Sequence, residues 1–564
     1  VIVKYLITSA LPYINGVKHL GNLIGSLLPA DVYARYLRQE KHQVLYICGT
    51  DEHGTPAEIA AIENNLSVAD YCNKMYQLQS TNYDKLGLSF DYFGRTSSPI
   101  HASLVQQFFQ DLKHNGYISQ KTIKQFYSHT DKRFLPDRYV MGTCPFCHYD
   151  KTKGDQCDSC DKLIDPVELI NPYSSISGSH DLELKDTHHL FLELPLLEDL
   201  VRSWVDNHLD WNHVTKGIAK KWLQEGLKSR CISRDLEWGV AIPDSDFIDK
   251  VFYVWFDAPI GYISMTKEYA NQHKNPDLWQ DWWLNANQEV YYTQFMAKDN
   301  VPFHAIFFPA MIFGIDKNIK QVDDIKAFNW LKFEDKKFST SSKHGIFIDK
   351  ALELYPADYW RYYLLSIAPE SDDSNFTIDG FASTINKDLA DVLGNFISRV
   401  FAMSKKYNNY IEECLKANPK IAISAELKSE LEPLLVELNQ YYSTKQYRKM
   451  IHCLRSIWSF ANEYIAKKTP WVVIKTNPQD ASMILVDCLY LIKVFVIISM
   501  PVIPTIMSNI STLLKFNDEL DSYKISNIIE CCSGYIQINL DNNFSLINKI
   551  DDDAIEYLKS MFIH

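Results

Sequence analysis

SALPYINGVKHLGN, Ser9 to Asn22, joins the apolar run VIVKYLIT (residues 1–8) to LIGSLLPADVYARYLRQ (residues 23–39). The first run has the β-branched and aromatic content of a strand, and the second has helical periodicity. A glycine-containing turn between strand and helix presents backbone N–H groups and the positive end of the helix dipole, where phosphate can bind. His19 in that turn can donate to a phosphate oxygen or act as a satisfied helix cap. Gly21, with no side chain, leaves space for a flat base against the backbone. HQVLYICGT (residues 42–50) repeats the strand pattern, so residues 1–115 read as an α/β unit with a parallel sheet.

Working outward, residues 116–235 break into short aromatic strands, a cysteine cluster and loops, the pattern of an insertion. KVFYVWFDAP and HAIFFPAMIF read as returning strands, so the first domain is expected to resume over 236–325. Residues 326–383 carry a lysine-bracketed polar loop, and residues 384–564 are helical almost throughout. The chain has 564 residues, 46% apolar and 23% charged, ordinary for a folded soluble protein. Its net charge of −13 excludes bulk coating of nucleic acid, though not a local basic site. The N-terminal run lacks a basic leader and cleavage site, which leads to the expectation of a cytoplasmic protein. Ser482 to Ile503 is apolar enough to suggest a membrane helix. Asp487 and Lys493 interrupt it and Pro501 and Pro504 end it, so a buried bundle helix with no membrane is expected.

The cysteines carry the sharpest chemistry. Cys144-Pro-Phe-Cys147 and Cys157-Asp-Ser-Cys160 are two CxxC knuckles, which supply four thiolates for one closed, structural zinc. Serines in Asn171–Gly178 stand where a second pair might have been, so one metal is expected. The polar loop KKFSTSSKHG, Lys336 to Gly345, can close over a polyphosphate or remain a solvated surface loop.

Together, HLGN at His19–Asn22 and KFSTS at Lys337–Ser341 resemble the two signatures of class I aminoacyl-tRNA synthetases. CGTDEHGTP (48–56), the cysteine knuckles, ISRDLEWGV (232–240), VWFDAPIGY (254–262), FHAIFFPAM (303–311) and LGNFISR (393–399) are similar, in the same order, to the methionyl-tRNA synthetase family. The resemblance covers essentially the whole chain. It implies an α/β Rossmann catalytic domain with a zinc-knuckle insertion, followed by an all-α helical-bundle anticodon-binding domain. It also implies ATP with Mg2+, L-methionine, and initiator and elongator methionine tRNAs as partners, and a monomer.

Carried over residue by residue, the resemblance implies that His19, Gly21 and Asn22 bind ATP, with His19 and Asn22 catalytic. Asn22 stands where many relatives have a second histidine. Lys337, Ser339 and Thr340 form the second ATP-binding segment, with Thr340 in place of the usual lysine. A hydroxyl supplies no full charge there, so Lys337 or Lys343 is expected to take over neutralisation. Ala10, Leu11, Tyr13, Trp255, Ala258, Pro259, Tyr262, Phe303 and His304 are the methionine pocket, an aromatic wall suited to a polarizable thioether. Asp51 is expected to hold the substrate ammonium, and Arg234 to pair with Asp51 or the carboxylate side. Asn395, Arg399 and Trp471 are the expected anticodon readers. Lys216, Lys220, Lys221, Lys228 and Arg230 are either an acceptor-stem patch or a solvated helix face. Rival readings are a synthetase for leucine, isoleucine, valine or cysteine, a zinc RNA-binding protein without catalysis, and a small-molecule nucleotidyltransferase.

Overall fold

The structure, a computed structural model, describes residues 2–157, 159–160, 162–208, 210–284, 289–315, 318–340, 343–417, 423–514, 523–531 and 547–563. Its centre is a five-stranded parallel sheet of β1 (Lys4–Ser9), β2 (Gln43–Thr50), β3 (Tyr92–Arg95), β4 (Val290–Ala297) and β5 (Asp324–Phe328). The spatial order is 5-4-1-2-3, with Lys4 level with both Gln43 and Val290. That order reverses direction at β1 and β4, the switch point outside whose carboxyl ends open parallel sheets bind ligands. The SALPY turn leaves β1 at this point.

The helix after the turn has three parts: Leu20–Asn22, a π-helical turn over Leu23–Leu27, and α1 (Leu28–Gln39). Pro29 follows the π-helical turn inside this continuous helix, where its missing N–H removes one rung of the ladder. Similar π segments occupy Phe303–Phe307 and Ile385–Gly394, each beside residues singled out from sequence. Such bulges recur at functional sites because they re-aim side chains within a helix.

The insertion begins with a long antiparallel pair, Ile118–Ser128 against Leu182–Leu192, and ends with Arg230–Cys231 on the same sheet. A separate three-stranded sheet, Thr152–Lys153, Val140–Thr143 and Ile170–Ser174, frames the cysteines. The returning segment differs from expectation. HAIFFPAMIF is helical, Phe303–Gly314, and KVFYVWFDAP has only the short strand Val251–Phe252 before the helix Val254–Asp257. The sheet strands there are VYYTQFMA and DIKAF. A short apolar run has no decisive period, and burial all round makes a helix and a strand read alike. In the same way the border drawn at 325 cuts β5, and that at 383 cuts the helix Ile378–Thr384.

The C-terminal part is helical among the described residues. It includes α2 (Asn395–Lys406), α3 (Tyr447–Lys468) and α4 (Pro478–Ser499). By length and composition α4 is apolar enough to cross a membrane, yet 89% of its most apolar window is buried in the bundle. Its charges are satisfied within the protein. Asp487 accepts from the Tyr464 hydroxyl (2.5 Å) and the Ser424 amide, and Lys493 donates to the Tyr523 hydroxyl at 2.6 Å.

One buried pair locks the helical part to the sheet. Arg361 and Asp31 are both fully buried and 2.7 Å apart. Asp31 on α1 also accepts from Arg35 and from the amide of Ser89, while Arg361 donates to the carbonyls of Pro501, Val502 and Leu86. Burial pushes the Asp31 carboxyl up, but the two guanidiniums and Ser89 outweigh it and hold it below the ordinary carboxylate range. Removing one member of such a pair strands a buried charge and costs roughly 3–5 kcal/mol. Arg361→Leu is therefore expected to lower unfolding free energy by about that amount, read from urea denaturation.

Candidate active site

The first signature segment is joined backbone to backbone to residues 346–348, just beyond the second. The amide of Leu20 donates to the carbonyl of Ile346 at 3.0 Å, and that of Ile348 donates to Lys18 at 2.9 Å. His19 forms a reciprocal cap with Asn22. Its Nδ1 accepts the Asn22 amide and its own amide donates to the Asn22 side-chain oxygen, both at 3.2 Å. An Nδ1 that accepts leaves the proton of a neutral imidazole on Nε2, as a donor. Burial, and after it the charge of Lys18, holds His19 down to about 3, so the ring is neutral at physiological pH.

Phe338 of the second segment stacks on His19, with centroids 4.8 Å apart. Gly21 also has a local packing role. A Cβ there would meet His19 Nδ1 at 3.0 Å and Phe338 at 3.3 Å, so the missing side chain makes room for those two rings. The loop is a tight hairpin, in which Ser339 and His344 exchange backbone hydrogen bonds at 3.0 Å. Thr340 faces Gly16 of the first turn, its methyl 3.7 Å from where a Cβ would be. Lys337 Nζ lies 4.3 Å from the centre of the Trp330 ring, and Lys343 is exposed with φ 53°. Residues 341 and 342, and with them Ser341 of KFSTS, lie outside the described residues.

Behind the turn lies an aromatic pocket. Trp255 and Phe303 meet at 4.3 Å, and Tyr13 pairs with Asp51 in an isolated parallel bridge. His304 Nδ1 donates to the Asn300 carbonyl (2.8 Å), which leaves Nε2 to accept the Tyr262 hydroxyl at 2.7 Å. Burial lowers His304 to about 4, consistent with that neutral tautomer. Leu11 packs over Gly261, Ala10 is tied to Phe295 of β4, and Ala258 and Pro259 form the turn after Trp255. Asp51 is zipped to the first turn through Pro12 and Ile14, and its Oδ1 is buried without a partner. Burial, then the Asp257 and Glu52 carboxylates, raise its pKa well above the ordinary value, opposed by Lys18. A buried, half-satisfied carboxylate at the end of an aromatic slot is suited to an ammonium group.

These features coincide with matches across the whole chain. The family model described as tRNA synthetases class I (M) matches residues 5–401, and the anticodon binding domain of methionyl tRNA ligase matches residues 417–563. The chain belongs to the methionyl family of class I tRNA synthetases. A methionine–tRNA ligase of Acaryochloris marina is 49% identical over 99% of both chains. One of Streptomyces avermitilis is 51% identical over 89% of this chain and 88% of that one. The fold is shared with the methionyl-tRNA synthetase of Mycobacterium tuberculosis, solved with methionyl-adenylate. The TM-score is 0.75 at 20% identity, over 97% of this chain and 100% of that one.

In this synthetase fold the cysteines converge. Cys144 and Cys160 sulfurs are 3.8 Å apart and those of Cys147 and Cys157 3.6 Å, all four within 4.8 Å. Four sulfurs on a tetrahedral zinc, at about 2.3 Å each, stand roughly 3.8 Å apart, so the set fits that ion. On α2, Asn395 is exposed, and Arg399 lies over the half-open Trp471 ring at 5.3 Å. Lys220, Lys221 and Lys228 are exposed, whereas Arg230 turns inward over Trp222 at 5.1 Å. A cavity of about 320 Å³ between the knuckle and Trp255 is lined by Arg230, Arg234, Tyr253 and Asp155, and lies away from His19.

Arg234 departs from expectation. It pairs with Asp137 of the insertion at 2.8 Å and lies 3.6 Å over Tyr253, so it does not reach Asp51. The insertion brings a carboxylate to it that sequence spacing does not reveal. Sequence reasoning also missed Lys18, 6% exposed and bonded to Asn15 at 2.9 Å, which burial lowers to about 7 against the pull of Asp51. It missed His53, His101 and Asp257 as well, although two of them stand inside quoted motifs. Gly345, at φ 122°, has Phe338 2.2 Å from the site of a Cβ. Gly345→Ala is expected to dislodge Phe338 from His19, costing about 1–3 kcal/mol of stability and raising the KM for ATP in pyrophosphate exchange.

Proposed function

We propose that the chain activates methionine with ATP and then charges methionine tRNA, with the residues above in specific roles. The observation that carries this reading is the meeting of the two signature loops over an aromatic slot that ends at Asp51. In the first step a methionine carboxylate oxygen attacks the α-phosphorus. The bond to the bridging oxygen breaks and pyrophosphate leaves; Mg2+ arriving with ATP would supply neutralising charge for it. In the second step the hydroxyl of the tRNA's terminal adenosine attacks the methionyl carbonyl, releasing AMP.

His19, neutral with its proton on Nε2, donates to phosphate oxygens as charge moves onto them, a role worth most in a site that excludes water. Asn22 serves this by holding the ring through the cap, and it is exposed enough to offer its amide N–H as well. Ser339 and Thr340 supply neutral donors. Lys343, exposed on the hairpin, is the mobile cation that folds onto the leaving pyrophosphate, with Lys337 behind it. Asp51 holds the ammonium, while Trp255, Phe303, Tyr13 and Tyr262 enclose the thioether and His304 orients Tyr262. Arg399, Asn395 and Trp471 present a guanidinium, an amide and a flat ring to unstacked anticodon bases. The four cysteines hold one zinc, which fixes the geometry of the insertion. The reading extends to a monomer that acts in the cytoplasm, to be checked by sedimentation and fractionation.

Pyrophosphate exchange is expected with methionine and not with leucine, isoleucine, valine or cysteine. His19→Ala should lower kcat by about 10²–10³-fold, as for loss of one preorganised donor. Lys343→Ala should lower it further than Lys337→Ala, and Thr340→Lys should restore part of the loss in the Lys343 variant. No exchange with any amino acid would leave only the tRNA-binding reading. Metal analysis should find one zinc per chain, lost in Cys157→Ser.

A further inference from the structure

Beneath the pocket lies a hydrogen-bonded group that none of these roles uses. His53, His101 and Asp257 are 5%, 0% and 0% exposed. His53 Nδ1 is in direct hydrogen-bond contact with Asp257 Oδ2, and His101 Nε2 approaches the same oxygen at 3.6 Å. His101 Nδ1 in turn contacts the Ser264 hydroxyl at 2.9 Å. The placement of these residues is systematic. His53 stands two residues beyond Asp51, Asp257 two beyond Trp255, and Ser264 two beyond Tyr262. These three are thus fastened to segments that carry walls of the slot, while His101 comes from the separate helix Pro99–His114.

We infer that Asp257, braced by His53 with His101 beside it, is a positioning residue that sets the span between the ammonium end and the thioether end of the methionine pocket. The inference rests on the reading that methionine lies between Asp51 and Trp255. The brace crosses from the end of β2 to the Val254–Asp257 helix, two elements that share no strand pairing. Without it the Ala258–Pro259 turn and Trp255 are free to shift relative to Asp51. A displacement of about 1 Å in a positioning element can cost on the order of a hundredfold.

Two other roles make different predictions. Two imidazoles and a carboxylate are a metal donor set. However, two donors on one ion stand about 3 Å or more apart, and His53 and Asp257 touch directly. The second alternative is purely electrostatic. Burial pushes Asp257 up, but His53 and His101 outweigh it and keep it ionised below the ordinary range. Its charge in turn opposes ionisation of Asp51, alongside Glu52, while Lys18 and the His53 amide favour it. Tyr13 and Tyr262 also face Asp51. Loss of the Asp257 charge alone would therefore tighten ammonium binding, whereas loss of the brace loosens it.

The test uses the full-length, zinc-loaded protein in pyrophosphate exchange. Asp257→Asn, which nearly preserves shape, is expected to raise the KM for methionine about tenfold or more and leave that for ATP nearly unchanged. His53→Asn should do the same and serves as the second variant if Asp257→Asn does not fold. The double variant should be no worse than the worse single, the sign of one shared interaction. An unchanged or lower methionine KM in both variants overturns the inference. So does a parallel rise in both KM values, which marks a merely structural role. A second metal equivalent that survives in Cys157→Ser and disappears in His101→Asn also overturns it. Asp51→Asn is run beside them. If that variant binds methionine normally, the ammonium assignment itself fails, whereas a defect in Asp51→Asn with none in Asp257→Asn rejects the brace alone.

Discussion

The buried contact between Asp31 and Arg361 constrains everything above it. Asp31 lies on the helix that begins at the first signature, and Arg361 reaches from beyond the second signature to the Pro501–Val502 turn of the helical bundle. Neither charge has access to water, so each is tolerable only with the other and with a full set of hydrogen bonds. The guanidinium meets this by donating to backbone carbonyls from two more segments, which a lysine's point charge could not span in the same plane. The result is a fixed geometry between the sheet that carries the chemistry and the face formed by Arg399 and Trp471. In the proposed reading that geometry is what makes a tRNA long enough to touch both ends a single substrate.

Above this base, the two signature loops are joined in a way that explains an unusual choice of residues. The segment just after the hairpin is held to the first turn by backbone hydrogen bonds, and the hairpin by Phe338 on His19, neither of which needs charge. Asn22 is accommodated for the same reason, because its part in the cap is the acceptance of an amide proton, which a carboxamide oxygen does well. Thr340 faces the open side of Gly16, its methyl 3.7 Å from where a Cβ would be. The loops therefore close through shape and neutral donors. Lys343, at the exposed edge of the loop, bears less desolvation cost than a buried cation would.

The sequence was most legible where chemistry imposes spacing. Two CxxC knuckles can hardly serve anything other than one tetrahedral centre, and they converge as that spacing requires. The first strand, the turn and the helix were legible because periodicity changes abruptly at Pro12 and Gly16. The last two sheet strands were not, because VYYTQFMA and HAIFFPAM are both apolar runs, and only packing decides which becomes a strand. Arg234 shows a second limit. Its nearest carboxylate comes from an insertion folded over it, a long-range fact with no local trace. His53 and Asp257 show a third, since two polar residues far apart in sequence look like any others until their contact is seen.

Selection of methionine over leucine in such a pocket is a problem of small energies. A sulfur–aromatic contact is worth only about 0.3–1.5 kcal/mol, and a single methylene difference about 1–3 kcal/mol. Those margins survive only if the walls cannot adapt to the wrong side chain. The walls here are tied by directional bonds: Tyr262 to His304, His304 to Asn300, and Asp257 to His53. An unbranched side chain passes between fixed rings, whereas a branched one needs them to part, and parting them breaks buried hydrogen bonds at about 1–3 kcal/mol each. Rigidity thus converts a weak preference for sulfur into a usable one, and it explains why so much polar structure lies beneath a pocket whose surface is almost wholly apolar.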